Sequence, residues 1–192
     1  MRYTNSMVLF FGPEDPFSTW YPSQFHYQAM PFENVQHFVN YFKAKMFGDE
    51  ALAERIYKAK NPQLCQQLGR EVKGFNQEKW NAEREKYVQI GCREKFLQNT
   101  ELLIALFETG DRLLVEANPK DAYWGIGFAE DDPQATMMCY WPGRHDSRNR
   151  LGHIITTFRD WLMDGYDEGT LPRRARWAVE DMLRYVTARK AG

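Results

Sequence analysis

QHFVNYFKAKMFGD, residues 36 to 49, sorts at 3.6 residues per turn into two stripes of different chemistry. Val35, Phe38, Val39, Phe42 and Met46 share one face at core-burying spacing. Gln36, Asn40 and Lys43 share a neighbouring stripe, with Gln36 and Lys43 nearly eclipsed two turns apart. Three polar side chains thus run along the edge of a buried face, where the wall of a cleft would be.

Upstream of this helix, the apolar run Val8 to Phe11, ended by Gly12-Pro13, predicts a buried strand and a turn. Residues 13 to 24 read as an irregular aromatic loop, and Phe25 to Phe32 as a strand or hairpin arm. Asn34 stands where an N-cap belongs. Downstream, a second helix is expected from Glu50 to Ala59. Asn61-Pro62 has the form of a cap and a first-turn proline for a third, which ends at Gly69. Gln77 to Asn99 is amphipathic, with Trp80, Tyr87, Val88 and Phe96 near helical spacing and an interruption at Gly91. Thr100 opens another helix that stops at Gly110, and Arg112 to Ala117 reads as a short strand. Little regular structure is expected from Pro119 to Arg148, a length that in a compact domain points to function or disorder. Its tryptophans favour function. Leu151 to Met163 returns to helical periodicity, and Pro172 to Ala191 forms a basic amphipathic helix.

The 192 residues fit one domain, and 43% hydrophobic with 15% aromatic content can build a sizeable core. Basic and acidic residues balance to a net charge of −1, so nothing in the overall charge draws the chain to nucleic acid or an anionic membrane. No run of eighteen apolar residues and no signal segment is visible, which predicts a cytoplasmic protein without a membrane partner. Cys65, Cys92 and Cys139 are odd in number and far apart, which argues against a disulfide framework. His26, His37, His145 and His153 lack metal-ligand spacing. Neither a metal nor a cofactor is expected.

Several residues admit both a structural and a functional reading. Taken by itself, Lys43 reads as a lysine that snorkels past the core. Trp124, with Gly125 and Gly127, is either core or a flat wall beside backbone that lets a ligand approach. Asn149, Arg150 and Gly152 precede a helix and read as a phosphate cradle, as a cap by Asn149, or as both. Arg70 is a phosphate ligand or an exposed arginine after a helix-ending glycine. Trp20 and Tyr21 either close over a ligand or are surface aromatics. His37 points away from the Gln36–Lys43 stripe and reads as structural.

An ordered set of short segments carries a family resemblance: FST at 17–19, the helix at 36–49, LGR at 68–70, REKFLQN at 93–99, KDAYWGIG at 120–127 and NRLG at 149–152. Together they resemble the NADAR family, whose members include the YbiA-type N-glycosidases of riboflavin intermediates, over roughly residues 8 to 163. The resemblance implies an α+β, mainly helical fold: a single YbiA-like domain at 1–170 with a few short strands, and an extra helical extension at 171–192. It also implies hydrolysis of a ribosyl C–N bond. Such a reaction passes through an oxocarbenium-like sugar and calls for negative charge, an oriented water and aromatic walls. Asp121 falls in the family's D-x-x-W-G pattern. Lys43 matches a lysine that in some members forms a Schiff base with the opened sugar, a role that needs a partly desolvated amine; Tyr41, Phe42 and Phe47 are its expected neighbours.

Two positions depart from the family pattern. Gln36 stands where members usually carry glutamate, and Thr19 where asparagine commonly follows the Phe-Ser pair. A neutral amide can neither take a proton from water nor offset positive charge as a carboxylate does. By position in the motifs, the resemblance implies catalytic roles for Gln36, Lys43 and Asp121, and substrate binding by Trp20, Asn40, Arg70, Trp124, Gly125, Gly127, Asn149, Arg150 and Gly152. The expected partner is a small-molecule or nucleotide-linked ribose, either a phosphoribosylamino-pyrimidine or ADP-ribosylated guanine, with contact to ADP-ribosylated nucleic acid in the second case. Two alternatives stand beside this: a binding module that holds such a ligand uncleaved because of Gln36, and an interaction protein that works through the basic helix Arg173 to Lys190. The oligomeric state is left open.

Overall fold

The structure, a computed structural model, describes residues 1–59, 61–143 and 148–191; His145 lies outside the described residues. It is α+β and mainly helical, and it divides into two compact units, one formed by Thr19–Lys95 and the other by Met1–Ser18 with Phe96–Gly192.

In the Thr19–Lys95 unit, β1 (Phe25–Tyr27) and β2 (Met30–Phe32) form an antiparallel hairpin with Phe25 opposite Phe32. Its two turn residues, Gln28 and Ala29, both have positive φ, the geometry that matches strand twist in a tight hairpin. Helix α1 spans Val35–Met46, and the Asn34 side chain accepts from His37 N at 2.8 Å as the expected cap. Asp49 caps α2 (Glu50–Lys58), and Asn61 with Pro62 opens α3 (Pro62–Leu68). The apolar face of α1 is narrower than the spacing suggests. Val35, Phe38 and Val39 are buried, whereas Phe42 and Met46 are only half covered, and Ala44 faces Leu52, Ile56, Cys65 and Leu68 instead. The helix packs on α2 and α3 as well as on the hairpin, so the small residue takes the more crowded side.

Helix α4 runs from Gln77 to Gln98 without a break. Gly91 does not interrupt it, contrary to the expectation from propensity. A β-carbon there would lie 2.9 Å from Val35 Cγ1 and 3.2 Å from Phe38 Cδ1. The glycine is a packing residue that lets α4 approach α1.

The other unit holds a three-stranded sheet. Strands β3 (Arg2–Tyr3) and β4 (Met7–Phe10) are antiparallel, and β4 pairs in parallel with β5 (Leu113–Glu116). All four residues of β4 are buried, as expected of a strand covered on both faces. The two-residue β3 carries no apolar pattern and escapes sequence reading. Helix α6 (Arg150–Asp167) packs on β5, and α7 (Arg173–Ala191), the basic C-terminal helix, packs on α5 (Thr100–Phe107) and α6. Arg159, buried on α6, donates to Thr109 Oγ1 at 2.8 Å and to the Arg112 carbonyl at 2.7 Å. Residues 119 to 143 contain only two short 3-10 turns, at Pro133–Thr136 and Met138–Tyr140.

Candidate functional site

The Thr19–Lys95 unit collects Thr19, Trp20, Gln36, Asn40, Lys43 and Arg70. The Lys43 side chain is half-buried. Its ammonium donates to the Gly69 carbonyl oxygen at 2.8 Å and lies 4.4 Å from the centre of the Phe75 ring and 5.7 Å from that of Trp80. Burial holds its pKa below the ordinary lysine value. These two rings come from the segment before α4 and from its first turn, and Phe47 packs on Phe75 with ring centres 5.3 Å apart.

Gln36, Asn40 and Thr19 form a chain of neutral groups. Gln36 N donates to the Thr19 carbonyl at 2.9 Å, Thr19 Oγ1 donates to Gln36 Oε1 at 3.4 Å, and Gln36 Nε2 donates to Asn40 Oδ1 at 3.3 Å. Asn40 is buried, and its Nδ2 faces Cys65 O at 3.2 Å and Cys65 Sγ at 3.4 Å. Both ends of the Asn40 amide are thus engaged within the protein. Gly69 lies against it, with an added β-carbon 2.6 Å from Asn40 Oδ1. The stripe read from the sequence is real, but its middle member ties α1 to α3.

Trp20 lines a cavity of about 140 Å³ with Pro22, Glu33, His37, Pro62 and Cys65. His37 is structural: its Nδ1 accepts from Glu33 N at 3.2 Å, which leaves Nε2 to donate to Ile56 O at 2.9 Å. Burial raises the Cys65 thiol pKa. Arg70 is exposed. The Tyr21 ring lies 5.4 Å from the ammonium of Lys95, a residue only 1% exposed, whose pKa burial lowers to about 7.

The Met1–Ser18 and Phe96–Gly192 unit brings the tryptophan-glycine and asparagine-arginine segments together. Asn149 N donates to Gly125 O at 2.8 Å, Arg150 N to Tyr123 O at 3.0 Å, and Leu151 N to Trp124 O at 3.2 Å. The N–H groups of Arg150 and Leu151, the first two residues of α6, are therefore bonded to backbone carbonyls. Asn149 is fully buried and in the left-handed region, with φ 52°, and its side chain makes no capping bond. Instead its Oδ1 accepts from Glu116 N at 3.0 Å and its Nδ2 donates to Leu114 O at 2.9 Å. Gly152 lies within α6, and an added β-carbon would collide with Leu114 O. Gly125 and Gly127 likewise serve the chain's own folding. A β-carbon at Gly125 would lie 2.6 Å from Glu116 O, and one at Gly127 2.7 Å from Pro142 Cγ. Asp121 Oδ1 accepts from the backbone N–H groups of Tyr123 and Trp124, each at 2.8 Å, and fixes the turn that carries the half-exposed Trp124.

Residues 9–163 match the family model of the NADAR domain. The chain belongs to the NADAR family. It is similar to Protein irg-1 of Caenorhabditis elegans, with 32% identity over 177 residues that cover 83% of this chain and 81% of that one. It is also similar to N-glycosidase R617 of Acanthamoeba polyphaga mimivirus, with 31% identity over 149 residues covering 75% and 85%. The NMR structure of the Escherichia coli protein YbiA superimposes with a TM-score of 0.67 at 23% identity, covering 85% and 88% of the two chains, a likeness of fold.

Sequence reading of this NADAR domain missed three contributors. Phe75 and Gly69 hold Lys43: Phe75 lies in a stretch without periodicity, and Gly69 was legible as the end of a helix but not as a partner of Lys43. Glu116 closes an apolar strand, LLVE, and a carboxyl at the end of a buried strand was the signal available. Among the described residues, no helix is long and apolar enough to cross a membrane.

Proposed function

We propose that this NADAR domain is an N-glycosidase that hydrolyses a ribosyl C–N bond, with ADP-ribosylated guanine and phosphoribosylamino-pyrimidines of the riboflavin pathway as the two substrate classes. The observation that carries the reading is the setting of Lys43: half-buried, with its pKa lowered, against two aromatic rings and a single carbonyl. An amine that attacks a sugar carbon must first be neutral, and desolvation favours that form. Attack by Nζ on C1 of a ring-opened ribosyl group forms a C–N bond, and the departing base takes a proton on its nitrogen. Water then hydrolyses the Schiff base, releasing the sugar and restoring the amine. Trp20 is proposed as an aromatic wall and Arg70 as a phosphate ligand beside Lys43; Asp121, Trp124 and Arg150 are the candidates that the family resemblance adds. The test is to incubate the protein with each substrate, follow release of free base or ADP-ribose, and trap the adduct with borohydride. Release together with a trapped adduct that disappears in Lys43→Met supports the reading, and no release from a substrate removes that substrate.

A specific observation favours a second reading, a ligand-binding module. Position 36 is a neutral amide with its oxygen and nitrogen both engaged, by Thr19 and Asn40. An amide of carboxylate shape preserves a pocket while removing its charge. A large gain in turnover in Gln36→Glu, without a matching change in affinity, supports the binding module; no gain discards it.

A further inference from the structure

Glu116 ends β5 and stands at the root of the loop that carries Asp121 and Trp124. Its carbonyl oxygen accepts from Asn118 N at 2.9 Å and from Ile126 N at 3.0 Å, so both arms of the loop close on one residue. Between those arms, Asp121 gathers the N–H groups of Tyr123 and Trp124, and its own carbonyl accepts from Gly127 N at 3.1 Å. The Glu116 side chain is only partly covered as a whole, but its Oε2 is closed off from solvent and has no hydrogen-bond partner among the described residues. The Asn118 side chain bonds the carboxyl, and the charge of Asp121 bears on it. The neighbouring strand β4, MVLF, carries no titratable group, and α6 reaches Glu116 through the neutral amide of Asn149.

A buried carboxylate oxygen without a donor, next to a second carboxylate, is a poor place for charge. We propose that Glu116 is a positioning residue for the Asp121 turn: it holds a proton on its closed-off carboxyl, leaves Asp121 as the single negative charge of the loop, and disturbs that turn when the proton is released. Burial, with the Asp121 charge second, raises its pKa to about 7, so the change falls near neutrality. The consequence for turnover rests on the N-glycosidase reading, whereas the titration does not.

The experiment is an NMR titration of the protein without substrate, following the Glu116 side-chain carbon and the amides of Tyr123 and Trp124 from pH 5 to 9. The expected result is a common midpoint near 7 in all three, lost from both amides in Glu116→Gln and shifted to lower pH in Asp121→Asn, where the neighbouring charge is gone. A Glu116 carbon already ionised at pH 5.5, or amides that titrate unchanged in Glu116→Gln, overturns the proposal. Where turnover is measurable, its fall on the alkaline side is expected to vanish in Glu116→Gln, and a fall that persists counts against the positioning role. Absent turnover with the shared midpoint intact removes only the glycosidase reading.

Discussion

Thr19 and Gln36 are bonded to each other twice, by the backbone N–H of Gln36 on the Thr19 carbonyl and by the Thr19 hydroxyl on the Gln36 amide oxygen. These are the two positions that the sequence suggested as departures from the family pattern, and in the folded unit they face one another. A hydroxyl donor suits an amide oxygen and a carboxylate oxygen alike, so this contact tolerates either residue at position 36.

The other end of the amide does not. Gln36→Glu places a carboxylate oxygen opposite Asn40 Oδ1, and rotating the Asn40 amide only sets its oxygen against Cys65 O. The substitution is expected to destabilise the fold by about 1–3 kcal/mol at neutral pH, the cost of one unmatched polar contact. The loss should shrink in acid, where a protonated Glu can donate to Asn40. Denaturant melts at pH 7 and pH 4 check both parts.

Lys43 has its pKa lowered by desolvation, so removing a wall should rehydrate it. Phe75→Ala is expected to raise the Lys43 pKa toward the ordinary lysine value of 10.5. The pH dependence of Lys43 acylation, read by peptide mass spectrometry, measures it; an unchanged profile would show that Phe75 is not the desolvating group.

Gly91→Ala pits a gain in helix propensity of about 1 kcal/mol against overpacking of about 1–3 kcal/mol. The contacts are the buried side chains of Val35 and Phe38, which have little room to yield, so a net loss of roughly 1 kcal/mol is expected. Gly152→Ala should be far worse, because the obstacle there is the Leu114 backbone carbonyl. Thermal melts of the two variants rank them.

Asn149→Ala removes two buried hydrogen bonds and leaves Glu116 N and Leu114 O without partners. A loss of about 2–4 kcal/mol in stability is expected. If Asn149 were instead a phosphate ligand, the melt would be unaffected and only ligand affinity would fall; calorimetry alongside the melt separates the two.

Glu116 gives stability a definite slope with pH. Its folded pKa, about 7, lies above the ordinary 4.5, so the folded protein binds the proton more tightly. The contribution is fully present below about 4.5 and is lost as pH rises through about 7, by at most roughly 3 kcal/mol. Glu116→Gln is expected to be more stable than the parent at pH 8, with the advantage fading toward pH 4.5. An advantage independent of pH would mean that Glu116 does not titrate in this range.

What the sequence determined by itself was local. The Asn34 cap, the Asn61-Pro62 start, the apolar run of β4 and the Gln36–Asn40–Lys43 stripe are set by neighbours within a turn or two, where propensity and periodicity act directly. Ordered motifs likewise sufficed for the family. Tertiary structure decided which groups those elements meet. Gly91, a helix breaker by propensity, became the contact point of two helices. Asn149, read as part of a phosphate cradle or as a cap, bonds β5 with its side chain and the Trp124 turn with its N–H, because buried backbone donors and acceptors must find partners. The aromatic walls of Lys43 and the closed-off carboxyl of Glu116 depend on segments brought together from a distance along the chain, and desolvation is a property of such packing that no stretch of sequence carries alone.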